Sequence, residues 1–440
     1  MSYRESEDLR TKARFVILIL VSSGVLTNYL DRAVVGIAVP AMRSELNLDP
    51  ALMGVIFSAF SWTYFLGCIP SGVILDRFGT RTIFFIAQIG WSVVTVLHAI
   101  ATSFGFFVGA RCLLGIAEAP AIPSCNSAVA SWFPRSERAR AIGVYTAAEY
   151  VGLSFLSPFL FLIASEFGWR ALFLVAGGAG LLSACAWYII YREPFDTHHA
   201  NKAELDYIQA GGGAARKTVQ GSAFEFGSIR LLFRHRQMWG LCLGQFAVNS
   251  TLVFFLTWFP TYLATERHMG WVKVGVFAAL PYVFGFFGIL FAGSLSDWML
   301  KRGVSLNFAR KAPVICGLVG ASSIVLANWI ENDHLVIAIL SLSFFAQAMS
   351  SSGWAVLPEI APRGMLGLVG GLFNASANLA GIIIPLAIGF IVQTTGSFVM
   401  ALSFIGIVAI LGAVSWIFVV GDIHRLELDG KDTSTAARQV

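Results

Sequence analysis

Gly72-Val73-Ile74-Leu75-Asp76-Arg77-Phe78-Gly79-Thr80-Arg81 closes one long apolar run, and Gly293-Ser294-Leu295-Ser296-Asp297-Trp298, continuing to Arg302, closes another. Gly, Asp and Arg recur at the same internal spacing with a constant offset of 221 residues, where half the chain is 220. A duplication of this kind, in a chain made of long apolar runs, is the mark of a carrier with two similar halves and a site near the midplane between them.

Working outward, runs of about 18 or more residues with few charges are long enough to cross a bilayer as helices. The chain has twelve, at 15–39, 51–75, 82–101, 104–130, 140–165, 170–191, 239–264, 271–297, 311–330, 335–358, 366–393 and 397–420. The fold class is therefore all-α integral membrane, with 12 transmembrane helices in two pseudo-symmetric six-helix bundles. The expected division is 1–191, a linker at 192–238, 239–420 and a tail at 421–440. The linker carries Gly211-Gly212-Gly213, and Asn201 to Gln209 reads as a short amphipathic helix on the membrane surface.

Composition agrees. The chain is 57% hydrophobic and 12% charged, against roughly 25% charged in soluble domains. A net charge of +5 does not point to nucleic acid, because the basic residues sit in short loops and form no stripe. Of 30 Lys and Arg, 24 fall in the termini or the even-numbered loops, which puts both termini in the cytoplasm. All six cysteines lie in apolar runs, where they read as core residues outside any disulfide framework. The first run has no small-residue cleavage signature behind it and reads as a retained helix.

Asp31 and Arg32 stand side by side inside the first run, where an ionisable group costs several kcal/mol unless it is paired or faces water. Arg111 and Glu118 in the fourth run are seven apart, on one helix face but about two turns, roughly 10 Å, from each other. Each therefore needs another partner, and Asp31 and Arg32 are the obvious ones. One reading is a buried ion network that only ties helices together. The other is functional: Arg32 and Arg111 hold the carboxylate of an organic anion, since guanidinium is bidentate and always charged, while Asp31 and Glu118 exchange protons. Tyr29 and Tyr64 can add hydroxyls.

The second half offers neutral groups: Gln245 and Asn249, Ser351 and Trp354 within Ser350-Ser351-Ser352-Gly353-Trp354, and Asn374 with Asn378, four apart on one face. An amide pair suits a polyol, although such groups also serve as interhelical hydrogen bonds. His98 reads as a satisfied polar tip. No phosphate-binding loop, His-Glu-x-x-His or Cys-x-x-Cys set occurs, so the sequence gives no ATP engine, no metal and no cofactor beyond protons as coupling ion. No nucleophile and base pair marks an enzyme.

The loop after the second run resembles the conserved loop of the major facilitator superfamily, with a degenerate second copy after the eighth. Within it, Asn28-Tyr29-Leu30-Asp31-Arg32, Arg111-Cys112-Leu113-Leu114-Gly115-Ile116-Ala117-Glu118-Ala119-Pro120, and Ser131-Trp132-Phe133-Pro134 with Glu137-Arg138 resemble the anion:cation symporter family, which includes bacterial sugar-acid symporters and, distantly, sialin and the vesicular glutamate transporters. The resemblance implies substrate and proton roles for the carboxylates and arginines named above. It also implies a cytoplasmic gate involving Asp76, Arg77, Arg81, Asp297 and Arg302. Glu149 departs from it, since a neutral residue such as glutamine is expected there. With all five groups ionised the site holds three negatives against two positives, so Glu149 carries a proton, or the substrate carries a cation, or Glu149 is structural. The fifth run lacks the Gly-Pro-x-x-Gly-Gly pattern of drug/proton antiporters, which favours symport.

The expectation is a monomeric inner-membrane symporter of protons and a small organic anion, best a sugar acid (aldonate, aldarate or hexuronate). The alternatives are an aromatic or dicarboxylic acid, a zwitterion, or a non-transporting sensor.

Overall fold

A computed structural model describes residues 10–43, 45–197, 199–213, 226–362 and 365–427. The middle of the expected linker and most of the expected tail lie outside the described residues. Twelve helices among those described are long and apolar enough to cross a membrane, and no strand occurs among them. Spans 1 to 6 are Ala13–Met42, Pro50–Phe78, Thr80–His98, Phe104–Trp132, Arg135–Phe167 and Trp169–Ile190. Spans 7 to 12 are Arg236–Thr257, Trp271–Lys301, Leu306–Trp329, Asp333–Ile360, Leu366–Thr395 and Val399–Val419. The protein is a multi-pass membrane protein.

The helices run longer than the apolar runs, because their polar end turns remain helical. The loop expected after the second run shrinks to Gly79, which ends span 2 and begins span 3 at φ 81°. Only glycine adopts that backbone without strain. Asp76 and Arg77 thus lie in the last turn of span 2, and Asp297 lies inside span 8.

Several spans are also broken where continuous helices were expected. Span 4 divides into Phe104–Glu118 and Ala121–Trp132, because Pro120 has no N–H to continue the ladder. Span 5 contains a π-helical stretch, Gly152–Leu156. Span 10 passes through a 3₁₀ stretch, Ser351–Val356. Both are irregularities that often accompany functional sites.

Spatially, the residues group into two compact units. The first is Met1–Gly221 with Phe255–Val283 and Pro385–Phe398; the second holds Ser222–Phe254, Phe284–Ile384 and Val399–Val440. The ends of spans 7 and 11 farthest from the termini therefore pack with spans 1 and 2. Glycines allow it: a Cβ on Gly36 would sit 2.4 Å from the Leu256 carbonyl oxygen, and one on Gly54 would sit 2.5 Å from that of Pro385. The core of this unit is aromatic, with Trp187 stacked on Tyr191 at 4.0 Å and edge-on to Phe84 at 4.5 Å. In the second unit Trp416, Phe373, Val314 and Leu318 are fully buried.

The short linker helix, Lys202–Ala210, does not lie free on a membrane surface. Ile208 and Glu204 are both 0% exposed, and Glu204 accepts from the backbone N–H of Ala13 and Arg14 and from the Arg14 guanidinium. A buried carboxylate thus caps the first turn of span 1, which satisfies amides that have no partner within the helix. Not every cysteine is a core residue either, since Cys185 and Cys316 are exposed.

Candidate functional site

Close approaches at three glycines assemble the charged residues of the first unit. Gly24 lets span 1 lie on Phe84 of span 3, where a Cβ would come within 2.7 Å of the ring. Gly115 lets span 4 lie on span 2, where a Cβ would sit 2.3 Å from the Phe60 carbonyl oxygen. Gly152 meets Leu26 of span 1 from span 5. Asp31 and Arg32 lie about two turns beyond Gly24, and Arg111 and Glu118 flank Gly115 by about one turn on either side. The three approaches therefore bring five ionisable groups together.

Arg32 Nε donates to Glu118 Oε2 at 3.0 Å, and Glu118 is 0% exposed. The Arg32 guanidinium lies 5.0, 4.8 and 4.9 Å from the ring centres of Tyr29, Phe60 and Tyr64, a cation–π cage that partly replaces lost hydration. Arg111 shares the Phe60 ring at 5.0 Å. The expected partnership of Glu118 with Arg32 forms; that of Arg111 with Asp31 does not. Arg111 Nε donates instead to the Ile56 carbonyl at 3.3 Å, and its Nη1 has no partner. Asp31 is 1% exposed and neither oxygen has a partner at full hydrogen-bond geometry, although the Thr95 hydroxyl lies within reach; Glu118, Arg111 and Arg32 complete its surroundings. The site thus holds one closed ion pair, one guanidinium with a free donor and one free carboxylate.

Glu149 joins this cluster from span 5 and is 7% exposed. Its neighbours are the Tyr29 hydroxyl, Arg32 and Tyr150, and Tyr282 lies close enough to feel its charge. Tyr29 therefore presents its ring to Arg32 and its hydroxyl to Glu149.

In the second unit the neutral groups are placed differently from the expected amide pair. Asn378 Nδ2 donates to the Asn374 carbonyl one turn back at 2.9 Å, so Asn378 spends a donor on its own helix. Asn249 Nδ2 donates to the Ala377 carbonyl at 2.6 Å and ties span 7 to span 11. Trp354 is 42% exposed and edge-on to Phe373 at 4.9 Å, and Ser351 is half-buried at the start of the 3₁₀ stretch.

Among the gate residues, Asp76, Arg77, Asp297 and Arg302 are exposed. Arg302 lies 4.3 Å over the Trp298 ring and Arg77 lies 5.3 Å over that of Phe78. Arg81 donates to the Tyr188 carbonyl at 2.9 Å.

His98 is the expected satisfied tip at one nitrogen alone: it is 0% exposed, its Nδ1 donates to the Val94 carbonyl at 2.7 Å, and Nε2 is unpartnered. Phe60, Asn28 and Thr95 also border the charged cluster without standing out in the sequence. Phe60 lies one turn before Tyr64, and Gln88, Ser92 and Thr95 recur at spacings of four and three, so helical periodicity held the signal.

The family described as the Major Facilitator Superfamily matches residues 21–309. The chain is 41% identical over 420 residues to a D-galactonate transporter of Escherichia coli O6:H1, covering 94% of this chain and 97% of that one. It is 39% identical over 435 residues to a probable galactarate/D-glucarate transporter of Escherichia coli K12, covering 96% and 97%. Among solved structures, a D-xylose-proton symporter superposes with a TM-score of 0.71 at 16% identity, covering 93% and 98%, a likeness of fold alone. With the family match spanning residues 21–309 and relatives similar over nearly their whole length, the chain belongs to the major facilitator superfamily.

Proposed function

We propose that the protein is a proton-coupled symporter that brings a sugar acid across the inner membrane by alternating access. The observation that carries this reading is the unequal pairing of the buried cluster: Arg111 Nη1 has no partner and Asp31 has none on either oxygen, while Arg32 and Glu118 are bound to each other. A free guanidinium donor can take a substrate carboxylate. A buried carboxylate that no cation holds is a place where a transported proton can be carried. A proton on Glu118 would release Arg32 to the substrate as well, which links proton and anion binding. The names of the relatives, D-galactonate and galactarate/D-glucarate transporters, support a sugar acid as the anion.

Tyr29 and Tyr64 supply hydroxyls, and Trp354, Ser351, Asn374 and Asn378 supply the polyol contacts from the second half. Three carboxylates against two guanidiniums oppose an anion, so Glu149 holds a proton when substrate is bound and acts as a hydrogen-bond donor. Asp76, Arg77, Arg81, Asp297 and Arg302 form the cytoplasmic gate, with both termini in the cytoplasm. The functional halves are 1–191 and 239–420, joined by 192–238 and followed by a tail at 421–440, and the working unit is a monomer. No catalytic step is involved.

A thermal-shift screen of aldonates, aldarates and hexuronates against the purified protein identifies the acid, and uptake into proteoliposomes with and without an inward proton gradient tests the coupling. Accumulation that needs the gradient supports the reading, and uptake that ignores both pH gradient and membrane potential sinks it.

A further inference from the structure

The first unit contains more buried polar atoms than its ion pair explains. Asn28, Asp31, Ser92, Thr95, His98 and Arg111 are each 3% exposed or less. Each carries at least one side-chain atom with no partner at full hydrogen-bond geometry: both amide atoms of Asn28, both oxygens of Asp31, Ser92 Oγ, Thr95 Oγ1, His98 Nε2 and Arg111 Nη1, even where Thr95 faces Asp31 and Asn28 faces Glu118. Leaving one such group dry costs about 1–3 kcal/mol, so a run of them is tolerable only if water satisfies it. Roomy polar interiors hold such water, each molecule bonding two to four groups.

The order of these groups gives the run a direction. Ser92, Thr95 and His98 follow one another at spacings of three on span 3, a rise of roughly 9 Å that turns about 60° around the axis at each step, with Ser92 facing Gly180 of span 6. His98 is the last residue of span 3. With Nδ1 donating to the Val94 carbonyl, its Nε2 is a bare acceptor. The rings of Phe107 and Phe173 flank it at 4.7 and 5.2 Å, and Arg111 is the charged group facing it. Just past His98 the Ala101 carbonyl accepts from Arg170, which pairs with the exposed Glu45. Inward from His98, Thr95 and Arg111 are both neighbours of Asp31, and Asp31 is a neighbour of Glu118. The sequence of neighbours thus leads from the face opposite the termini to the free carboxylate.

We propose that these six residues hold a file of buried water inside the first unit, and that this file is a proton inlet delivering protons from the face opposite the termini to Asp31. The proton hops along the water molecules, each accepting one proton and passing on another, so that one O–H bond forms and one breaks at every step; His98 Nε2 only accepts a hydrogen bond that orients the file, and the last proton ends as an O–H bond on an Asp31 oxygen. The proposal rests on the proton-coupled reading above and deepens it by separating the proton's route from the aromatic cage around Arg32.

The test compares two transport modes of D-galactonate in proteoliposomes: uptake driven by an inward proton gradient, and counterflow at equal pH, which needs no net proton movement. Thr95→Val keeps the shape of the side chain and removes its hydroxyl; His98→Phe keeps the stack on Phe173 and removes the ring nitrogens. Both variants are expected to slow gradient-driven uptake about tenfold, equivalent to roughly 1.4 kcal/mol on the proton step, and to leave counterflow unchanged. Wild-type rates of gradient-driven uptake in both variants, or equal loss of the two modes, would overturn the inlet. If the wild type itself shows counterflow but no response to the gradient, the proton-coupled reading falls and takes the inlet with it.

Discussion

The two halves of the chain solve the problem of a polar interior in opposite ways. Spans 1 to 6 bury Asp31, Arg111, Glu118 and Glu149 beside Arg32, whereas the polar groups singled out in spans 7 to 12 are amides and hydroxyls such as Gln245, Asn249, Asn374 and Asn378. A charge inside a bundle is costly and persists where it has work to do. An amide can orient a hydroxylated ligand but can neither attract an anion from a distance nor hold a transported proton. On the proposed reading, charge recognition and coupling fall to the first half and shape recognition to the second.

The sharpest way to break that division is at the arginines. Arg111→Lys keeps the charge but loses the planar fork, and uptake is expected to fall at least about 100-fold, near 2.7 kcal/mol; a fall of less than threefold in initial rate, measured with radiolabelled sugar acid, contradicts it. The packing behind the charges is equally asymmetric. A Cβ on Gly115 would meet the Phe60 carbonyl at 2.3 Å, whereas one on Gly371 of span 11 meets nothing within 4 Å. Gly115→Ala should lower stability by about 1–3 kcal/mol through overpacking. Gly371→Ala should be neutral or raise it by up to about 1 kcal/mol through helix propensity. Thermal unfolding in detergent reads both, and equal effects would remove the contrast.

Glu204→Gln sharpens the picture at the start of span 1. It removes the charge from a carboxylate that accepts from Ala13, Arg14 and Thr11, and a loss of about 1–2 kcal/mol is expected. An unchanged unfolding temperature would show that the linker helix does not anchor span 1. On the second half, Asn378→Ala should raise KM about fivefold, near 1 kcal/mol, with kcat kept, as for a hydrogen bond made equally in ground and transition states; a collapse in kcat would give that half a share in coupling.

The smallest effect lies on the face opposite the termini, where hydrogen bonds from Arg170 and Trp169 bring Glu45 down to about 2. Because its folded value lies below the unfolded one, the stabilisation is complete above about pH 4.5 and is lost as the pH falls towards 2. Both side chains are more than a third exposed, 39% and 46%, so the whole effect stays below about 1 kcal/mol. Unfolding temperatures of wild type and Glu45→Gln should converge as the pH falls through that window; parallel curves would dismiss the pair.

The spans and their number were legible because long apolar runs are a one-dimensional signal. The pairing of Glu118 with a first-span arginine was legible too, since helix spacing ruled out Arg111 as its partner. What the sequence did not carry was how each side chain is spent. Asn378 turns back to the Asn374 carbonyl, Arg111 reaches the Ile56 carbonyl, and His98 sits fully buried between two phenylalanine rings. Those outcomes depend on how closely neighbouring helices approach at Gly24 and Gly115 and on the rotamers left open there, and neither quantity is written in residue spacing.

On the proposed reading, the charged cluster of the first half makes sugar-acid movement and proton movement one event. Internal pH of dye-loaded proteoliposomes, followed after D-galactonate is added outside with no imposed gradient, tests it most directly. Prompt internal acidification is expected with wild type and none above the leak with Asp31→Asn. Entry of the sugar acid into wild-type vesicles with no change in internal pH would contradict it.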